Sequence, residues 1–315
     1  MNILLWHVHG SWTTAFVQGK HRYLVPVTAE RGPWGRGRAR TYPWPDSVEE
    51  VPYERLSTSD IDLVLLQRPE ELTLLAAWAP AVHLPKVYVE HNTPKGDVPG
   101  TRHPMADRDD LTVVHVTHFN ELFWDCGGTR TAVIEHGIVE PAVRYSGELD
   151  RLAVVTNEPV RRGRVTGTDL IPRFAAAVPL DVFGMGVAAL AAERVAVFDD
   201  PPQAAMHAEL ARRRAYLHLC RWTSLGLSLI EAMTIGLPVV ALATTEAVEA
   251  VPRAAGVLST RVDTLVDAAL WLLESPEEAR RLGAAGRSAA VRRYGLDRFL
   301  ADWDSLLEDV LCASR

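Results

Sequence analysis

Apolar runs recur along the chain at 2–8, 61–66, 86–90, 112–116 and 131–135, and again at 152–156, 180–184, 214–218 and 238–242. Between them lie segments with helical spacing, for example 168–177, 203–213 and 226–235. Short apolar runs alternating with helix-length segments predict parallel sheets covered by helices. A polar stretch at 140–150, with Pro141 and Gly147, breaks the pattern and predicts a linker between two successive α/β halves. Near the end, an Ala- and Arg-rich helix is expected over 276–294, interrupted at Gly295. The pattern resumes with Phe299, Leu300, Trp303, Leu306, Leu307 and Val310, which share one helical face. The expected domains are therefore 1–145 and 146–297; periodicity does not say which of them the terminal helix at 298–315 packs on, and the separate expectation is that it crosses back to the first.

Residues 19–45 interrupt the apolar pattern. They contain Lys20, Arg22, Arg31, Arg36, Arg38 and Arg40, with Trp34, Tyr42 and Trp44 among frequent Gly and Pro. The expectation is a long loop. Its functional reading is acceptor binding or peripheral membrane contact, with cations for phosphate and aromatics for an apolar tail or sugar ring. Its alternative is a solvated loop with packed aromatics.

Composition narrows the class. With 315 residues and 48% hydrophobic positions, two cores can be built. A net charge of −7 argues against a general nucleic-acid binder. Cys126, Cys220 and Cys312 form no CxxC and fit neither a disulfide framework nor a zinc site. No apolar stretch reaches the roughly 18 residues of a spanning helix, and no basic leader precedes Asn2. The expected location is cytoplasmic, with the inner membrane face as a second place if the 19–45 loop binds lipid.

The most informative chemistry lies at 221–241, which reads as loop, helix, stop and strand. Thr223 and Ser224 are N-cap candidates, Gly226 permits close approach of a ligand, and Gly236 followed by Pro238 ends the helix. Free N–H groups and the dipole at such a helix start attract anions. Glu231, on the same face as Leu227 and Thr234, could accept hydrogen bonds from paired sugar hydroxyls, worth about 1.5–3 kcal/mol each. Phosphate at the helix tip with ribose on Glu231 describes a nucleoside diphosphate.

This stretch resembles the signature of retaining GT-B glycosyltransferases, in particular glycosyltransferase family four: a Glu, seven residues, a second Glu, Ala-Met, Gly, then Pro-Val-Val-Ala. The match runs from Gly226 to Ala241. The resemblance implies an α/β fold of two Rossmann-like domains with parallel sheets facing across a cleft. It implies that Glu231 binds the donor ribose, with Thr223 standing where the family's sugar-contacting Glu would be. Thr223, Ser224, Leu225, Gly226 and Leu227 become donor-loop candidates. Residues 154–163 resemble the family's cationic loop, with Arg162 at the Lys position, Asn157 in place of the Arg, and Arg161 as substitute if the register slips. Glu249 falls where the family has a Glu, while two preceding family glycines appear as Thr245 and Glu246.

Nine of the eleven histidines precede residue 140, several just past predicted strands: His9, His91, His118 and His136. Ligands of open α/β sheets bind at those carboxyl ends. By resemblance, His91 lies near the reacting sugar and Gly10 occupies the first strand–helix turn near the diphosphate. His7 and His9 lack a third ligand of suggestive spacing, so no metal is assigned. The resulting expectation is hexosyl transfer from a nucleoside-diphosphate sugar to a hydroxyl of a glycan, lipid-linked or small-molecule acceptor, with retention and without metal or cofactor. His91, Arg162 and Glu231 carry the chemistry. Two alternatives remain open: a catalytically silent nucleotide-binding or partner protein, and a sugar-nucleotide epimerase of the same fold.

Overall fold

The computed structural model describes residues 1–79 and 84–313. The chain divides into two compact units, Met1–Val139 with Leu296–Arg315, and Glu140–Gly295. The last two residues of the expected 298–315 segment lie outside the described residues.

The first unit runs β1 (Asn2–Leu5), α1 (Gly10–Phe16), β2 (Arg22–Val27), β3 (Val48–Pro52), β4 (Leu63–Leu66), α2 (Glu70–Trp78), β5 (Lys86–Glu90), β6 (Leu111–His115), α3 (His118–Phe123) and β7 (Arg130–Val133). Its sheet has the order β3-β2-β1-β4-β5-β6-β7. All pairings are parallel. β4 and β6 are buried along their whole length, which is why Leu63-Val-Leu-Leu and Leu111-Thr-Val-Val-His read as continuous apolar runs. The chain starts at β1, winds outward through β2 and β3, then crosses to β4 and winds the other way. The strand order therefore reverses between β1 and β4, where such sheets leave a crevice at their carboxyl ends.

β2 contradicts the single long loop expected at 19–45, and β3, just beyond it, was not expected. Pro26 sits inside β2, and a proline argues against an internal strand. β3 forms the edge and carries Glu49 and Glu50, so its pattern is polar. Those carboxylates pair two of the basic residues. Arg22 meets Glu49 through paired bonds of 2.6 Å, and Arg31 meets Glu50 at 2.8 and 2.7 Å. Arg38 donates to the Trp44 carbonyl at 2.8 Å and to that of Val48. Lys20 reaches Asp304 at 2.9 Å. Trp44 is buried and donates to Thr14 Oγ1 at 2.8 Å, while Arg68 covers Trp34 with its guanidinium 4.0 Å from the ring centre. The aromatics thus pack against the unit itself.

The second unit runs β8 (Leu149–Val155), α4 (Pro159–Arg162), α5 (Ile171–Ala177), β9 (Leu180–Gly184), β10 (Val195–Asp199), α6 (Gln203–Arg212), β11 (Arg213–His218), α7 (Leu227–Ile235), β12 (Val239–Leu242), α8 (Ala247–Ala250), β13 (Gly256–Ser259), α9 (Val262–Glu274) and α10 (Pro276–Tyr294). Its sheet is β10-β9-β8-β11-β12-β13, also parallel throughout. The core gathers Leu152, Val154, Phe174, Val182, Leu217 and Val240. Asp181, 1% exposed, accepts from Arg213 at 2.7 Å and Arg151 at 2.6 Å, so the buried charge is paired from two strands. Here the reversal lies between β8 and β11. Residues 140–150, read as a linker from composition, are tied to this unit: Tyr145 N–H bonds the Ile235 carbonyl at 3.0 Å and Ser146 N–H that of Ala211 at 2.8 Å.

The last helix, α11 (Leu296–Ala313), belongs to the first unit. Trp303 lies edge-on to Trp12 and Phe16, with ring centres 5.7 and 5.0 Å apart, and His21 meets Asp304 at 2.9 Å.

Candidate functional site

The second unit presents its crevice where β8 and β11 end side by side. After β8 the chain turns through Thr156, Asn157 and Glu158, the last with a left-handed φ of 55°, into the single turn of α4. Asn157 Oδ1 accepts from Met185 N–H at 2.9 Å, and Glu158 N–H donates to the Met185 carbonyl at 2.8 Å. Asn157 therefore fixes this loop to the one after β9, and its carbonyl oxygen is committed to structure. Arg161 is exposed and leans on Glu158 at 3.4 Å. Arg162 is half-buried and its guanidinium has no hydrogen bond or ion pair among the described residues. It lies within electrostatic reach of Cys220, whose thiol burial pushes up to about 11 against the pull of that charge.

The loop after β11 is bound to this turn. The Val165 carbonyl accepts from the N–H groups of Arg221 and Trp222 at 2.8 and 3.4 Å. Arg221 is held by Asp169 at 2.5 and 2.9 Å, so that cation is neutralised while Arg162 is not. Gly167, at φ 74°, lets the turn lie on β11: a Cβ there would stand 2.0 Å from the Leu219 carbonyl oxygen. Gly167→Ala is expected to cost at least about 2 kcal/mol from the left-handed backbone and this contact. A melting curve checks it: a drop of at least about 5 °C is expected, and an unchanged curve would refute the close packing.

α7 starts at Leu227 with Gly226 as its N-cap, a residue with no side chain to cap the helix. This corrects the expected role of Thr223 and Ser224. The N-cap position falls on Gly226, and the loop that reaches it buries Ser224 and Leu225. Leu227 and Ser228 amides then have no partner within the helix, which is what an anion site requires. A Cβ on Gly226 would stand 3.0 Å from the ring of His218, which burial holds neutral with a pKa lowered to about 4. Thr223 is partly exposed on the loop.

One helical turn on, Glu231 is 3% exposed. Its Oε1 accepts from Gln203 Nε2 at 2.9 Å, and its Oε2 lies 3.3 Å from His207 Nε2 without hydrogen-bond alignment. Both partners come from α6 and were not singled out in the sequence. A carboxylate oxygen has two acceptor sites, so lone pairs remain for a ligand hydroxyl. The loop after β12 joins the group through Thr244 Oγ1, which donates to the Cys220 carbonyl at 2.7 Å. Thr245 adopts φ 48°, the backbone shape natural to the glycine expected there by resemblance, although a β-branched residue rarely takes it. Glu249 is exposed on α8, and buried Glu246 instead pairs with Arg293 at 2.9 Å.

The first unit gathers a separate group at the ends of β1, β4 and β5. The His9 and His91 rings lie 4.1 Å apart, with Trp12 edge-on to His91 at 5.0 Å. Burial lowers the pKa of His9 to about 4 and of His136 to about 3, and holds His91 well below the ordinary value. These imidazoles are neutral at pH 7. His7 and His9 do not share a strand face: β1 ends at Leu5, and His7 turns to Trp44 with ring centres 4.7 Å apart. Exposed His118 stands apart, near Glu121. Glu90 at the end of β5 accepts from Asn92 N–H at 2.6 Å and meets His103 at 3.0 Å, fixing the turn that carries His91. Gly10 opens α1, but the Tyr42 ring occupies the space beside it, 2.7 Å from where a Cβ would be. A side chain at this position would collide with that ring, so the turn beside Tyr42 requires glycine. Among the described residues no group of three or more His, Cys, Asp or Glu is arranged to hold a metal ion. No helix among them is long and apolar enough to cross a membrane.

Residues 188–289 match the model of the family described as glycosyl transferases group 1, and the Gly226 to Ala241 resemblance falls inside that span. No curated protein matches the chain. Sucrose-phosphate synthase from Thermosynechococcus elongatus is similar in structure, with 14% identity, a TM-score of 0.75 and 99% of each chain covered. HepE from Anabaena, in complex with UDP, has 15% identity and a TM-score of 0.71, covering 98% of this chain and 99% of its own. A glycosyltransferase from Rickettsia africae has 10% identity and a TM-score of 0.69, covering 98% of each chain. The fold is GT-B, with two Rossmann-like units built on parallel sheets.

Proposed function

We propose, for a chain of GT-B fold that matches glycosyl transferases group 1 over residues 188–289, glycosyl transfer from a nucleoside-diphosphate sugar to an acceptor hydroxyl, with retention at the anomeric carbon. The observation that carries this reading is the grouping of unpartnered Arg162, the glycine-led start of α7 and buried Glu231 around the ends of β8 and β11. A diphosphate would meet the Leu227 and Ser228 amides and the Arg162 guanidinium, and the ribose would bond Glu231. As the sugar–phosphate bond breaks, negative charge grows on the leaving diphosphate. Groups fixed in advance around that charge lower the barrier more than any reorganising solvent can. Thr223 would offer the sugar a neutral hydroxyl. In the first unit, neutral His91 would hydrogen-bond a reacting hydroxyl. Uridine is the first base to test, since HepE is described in complex with UDP and with UDP-glucose.

The diphosphate's charge is met here by protein groups, so transfer is proposed to need neither a resident metal nor a cofactor. Donor turnover after exhaustive EDTA treatment tests this. Activity within about twofold of the untreated protein is expected; a loss restored by Mg²⁺ or Mn²⁺ would contradict it. The anomeric coupling of the product, read by proton NMR, tests retention.

A catalytically silent nucleotide-binding protein is the second reading. It is favoured by uncharged Thr223 and by Gln203 and His207 already flanking Glu231. Detectable donor hydrolysis or transfer excludes it.

A further inference from the structure

Gln67 stands at the carboxyl end of β4, at the strand-order reversal of the first unit, and is 3% exposed. Its side-chain amide bridges two groups. Nε2 donates to the Trp6 carbonyl at 2.9 Å, and Oε1 lies 3.0 Å from His91 Nε2. A backbone carbonyl can only accept, so the amide nitrogen must face Trp6 and the amide oxygen must face the histidine. An amide oxygen can only accept as well, so the His91 proton must sit on Nε2. The backbone beneath is locked: Gln67 N–H donates to Glu71 Oε2 at 2.7 Å, and Glu71 Oε1 takes Arg68 Nε at 2.8 Å. His9 and Trp12 hold the imidazole plane from two further sides. Among the described residues nothing bonds His91 Nδ1.

We infer that Gln67 is a positioning residue that fixes the His91 proton on Nε2, and so presents Nδ1 as the ring's lone pair for a substrate hydroxyl. The assignment of the lone pair to a substrate rests on the transferase reading above; the proton placement does not. A hydroxyl bound at Nδ1 donates its hydrogen to the ring. A glycosyl acceptor must give up that hydrogen, and a bound sugar can spare one. A carbonyl or an anion has no hydrogen to give and would be rejected at this atom.

The test is NMR of the full chain with ¹⁵N-labelled imidazoles, His91 being assigned by its loss in His91→Gln. At pH about 7.5, His91 is expected to show a protonated Nε2 and an unprotonated Nδ1. In Gln67→Met, which keeps side-chain length but removes both amide bonds, the two shifts should move toward each other as the tautomers mix. A wild-type proton on Nδ1, or shifts unchanged in Gln67→Met, would overturn the inference. If Gln67→Met does not fold, the wild-type spectrum still decides. Transfer assays separate the two readings. A fall in kcat of at least about tenfold, with KM for the nucleotide sugar little changed, supports the substrate role. A shifted tautomer with unchanged kcat supports the proton placement and contradicts the role of His91 in transfer.

Discussion

Acidification from about pH 7 to about pH 5 is expected to unfold the first unit, well above the range in which surface carboxylates titrate. His9, His91, His115 and His136 all belong to this unit, and burial depresses each of them: His9 and His115 to about 4, His136 to about 3, and His91 well below the ordinary value. In the native state they stay neutral. In the unfolded chain they take a proton as the pH falls below about 6.5. The unfolded state then binds more protons, so stability is complete above that value and is lost as the pH falls toward the native pKa. Each such histidine costs about 1.4 kcal/mol per pH unit, and four together cost roughly 5 kcal/mol per unit. Total stabilities of about 5–15 kcal/mol do not survive that for long. In the second unit only His218 is lowered comparably, to about 4.

Tryptophan fluorescence is suited to the measurement. Of the nine tryptophans, Trp6, Trp12, Trp34, Trp44, Trp78, Trp124 and Trp303 lie in the first unit. Thermal melts followed by their emission should shift steeply downward between about pH 6.5 and about pH 5. A melting temperature that stays flat until about pH 4.5 would mean that carboxylates alone set acid stability, and that these histidines are not buried neutral.

The second large effect is on ligand affinity. Glu231→Gln should weaken nucleoside-diphosphate binding at least about tenfold, since a charge-assisted bond to ribose becomes a neutral one. Gln keeps the volume and one acceptor for Gln203, whereas alanine would leave Gln203 and His207 facing a hole. Calorimetric titration of the folded variant measures the change. An unchanged dissociation constant would remove Glu231 from the site.

The second unit was largely legible in the sequence because its signals coincide. The Gly226 to Ala241 stretch carries a glycine at the helix start, a carboxylate one turn in, and Gly236 with Pro238 at the end. The structure places α7 over Leu227–Ile235 with Gly236 at φ 108°. β5 and β9 match their apolar runs because both are interior strands. The unforeseen strands β3, β10 and β13 are edge strands; β3 and β13 carry polar or glycine positions that break the apolar run, whereas β10 is largely apolar and was missed. β2 was hidden by Pro26. Gln203, His207 and Gln67 could not have been found by spacing. They lie 28, 24 and 24 positions from the residues they touch, and only strand order brings them there. Tyr42, which packs beside Gly10, also lies too far along the chain for spacing to reveal it.

The central claim is that the crevice at the ends of β8 and β11 binds a nucleoside diphosphate. A thermal-shift series with UDP, GDP, ADP and TDP and their sugar conjugates tests it most directly. A ligand at about 100 times its dissociation constant should add about 2.7 kcal/mol. The account predicts a saturable, base-selective rise in melting temperature that is at least about halved in Glu231→Gln at the same ligand concentration. No rise with any nucleotide at millimolar concentration would contradict it.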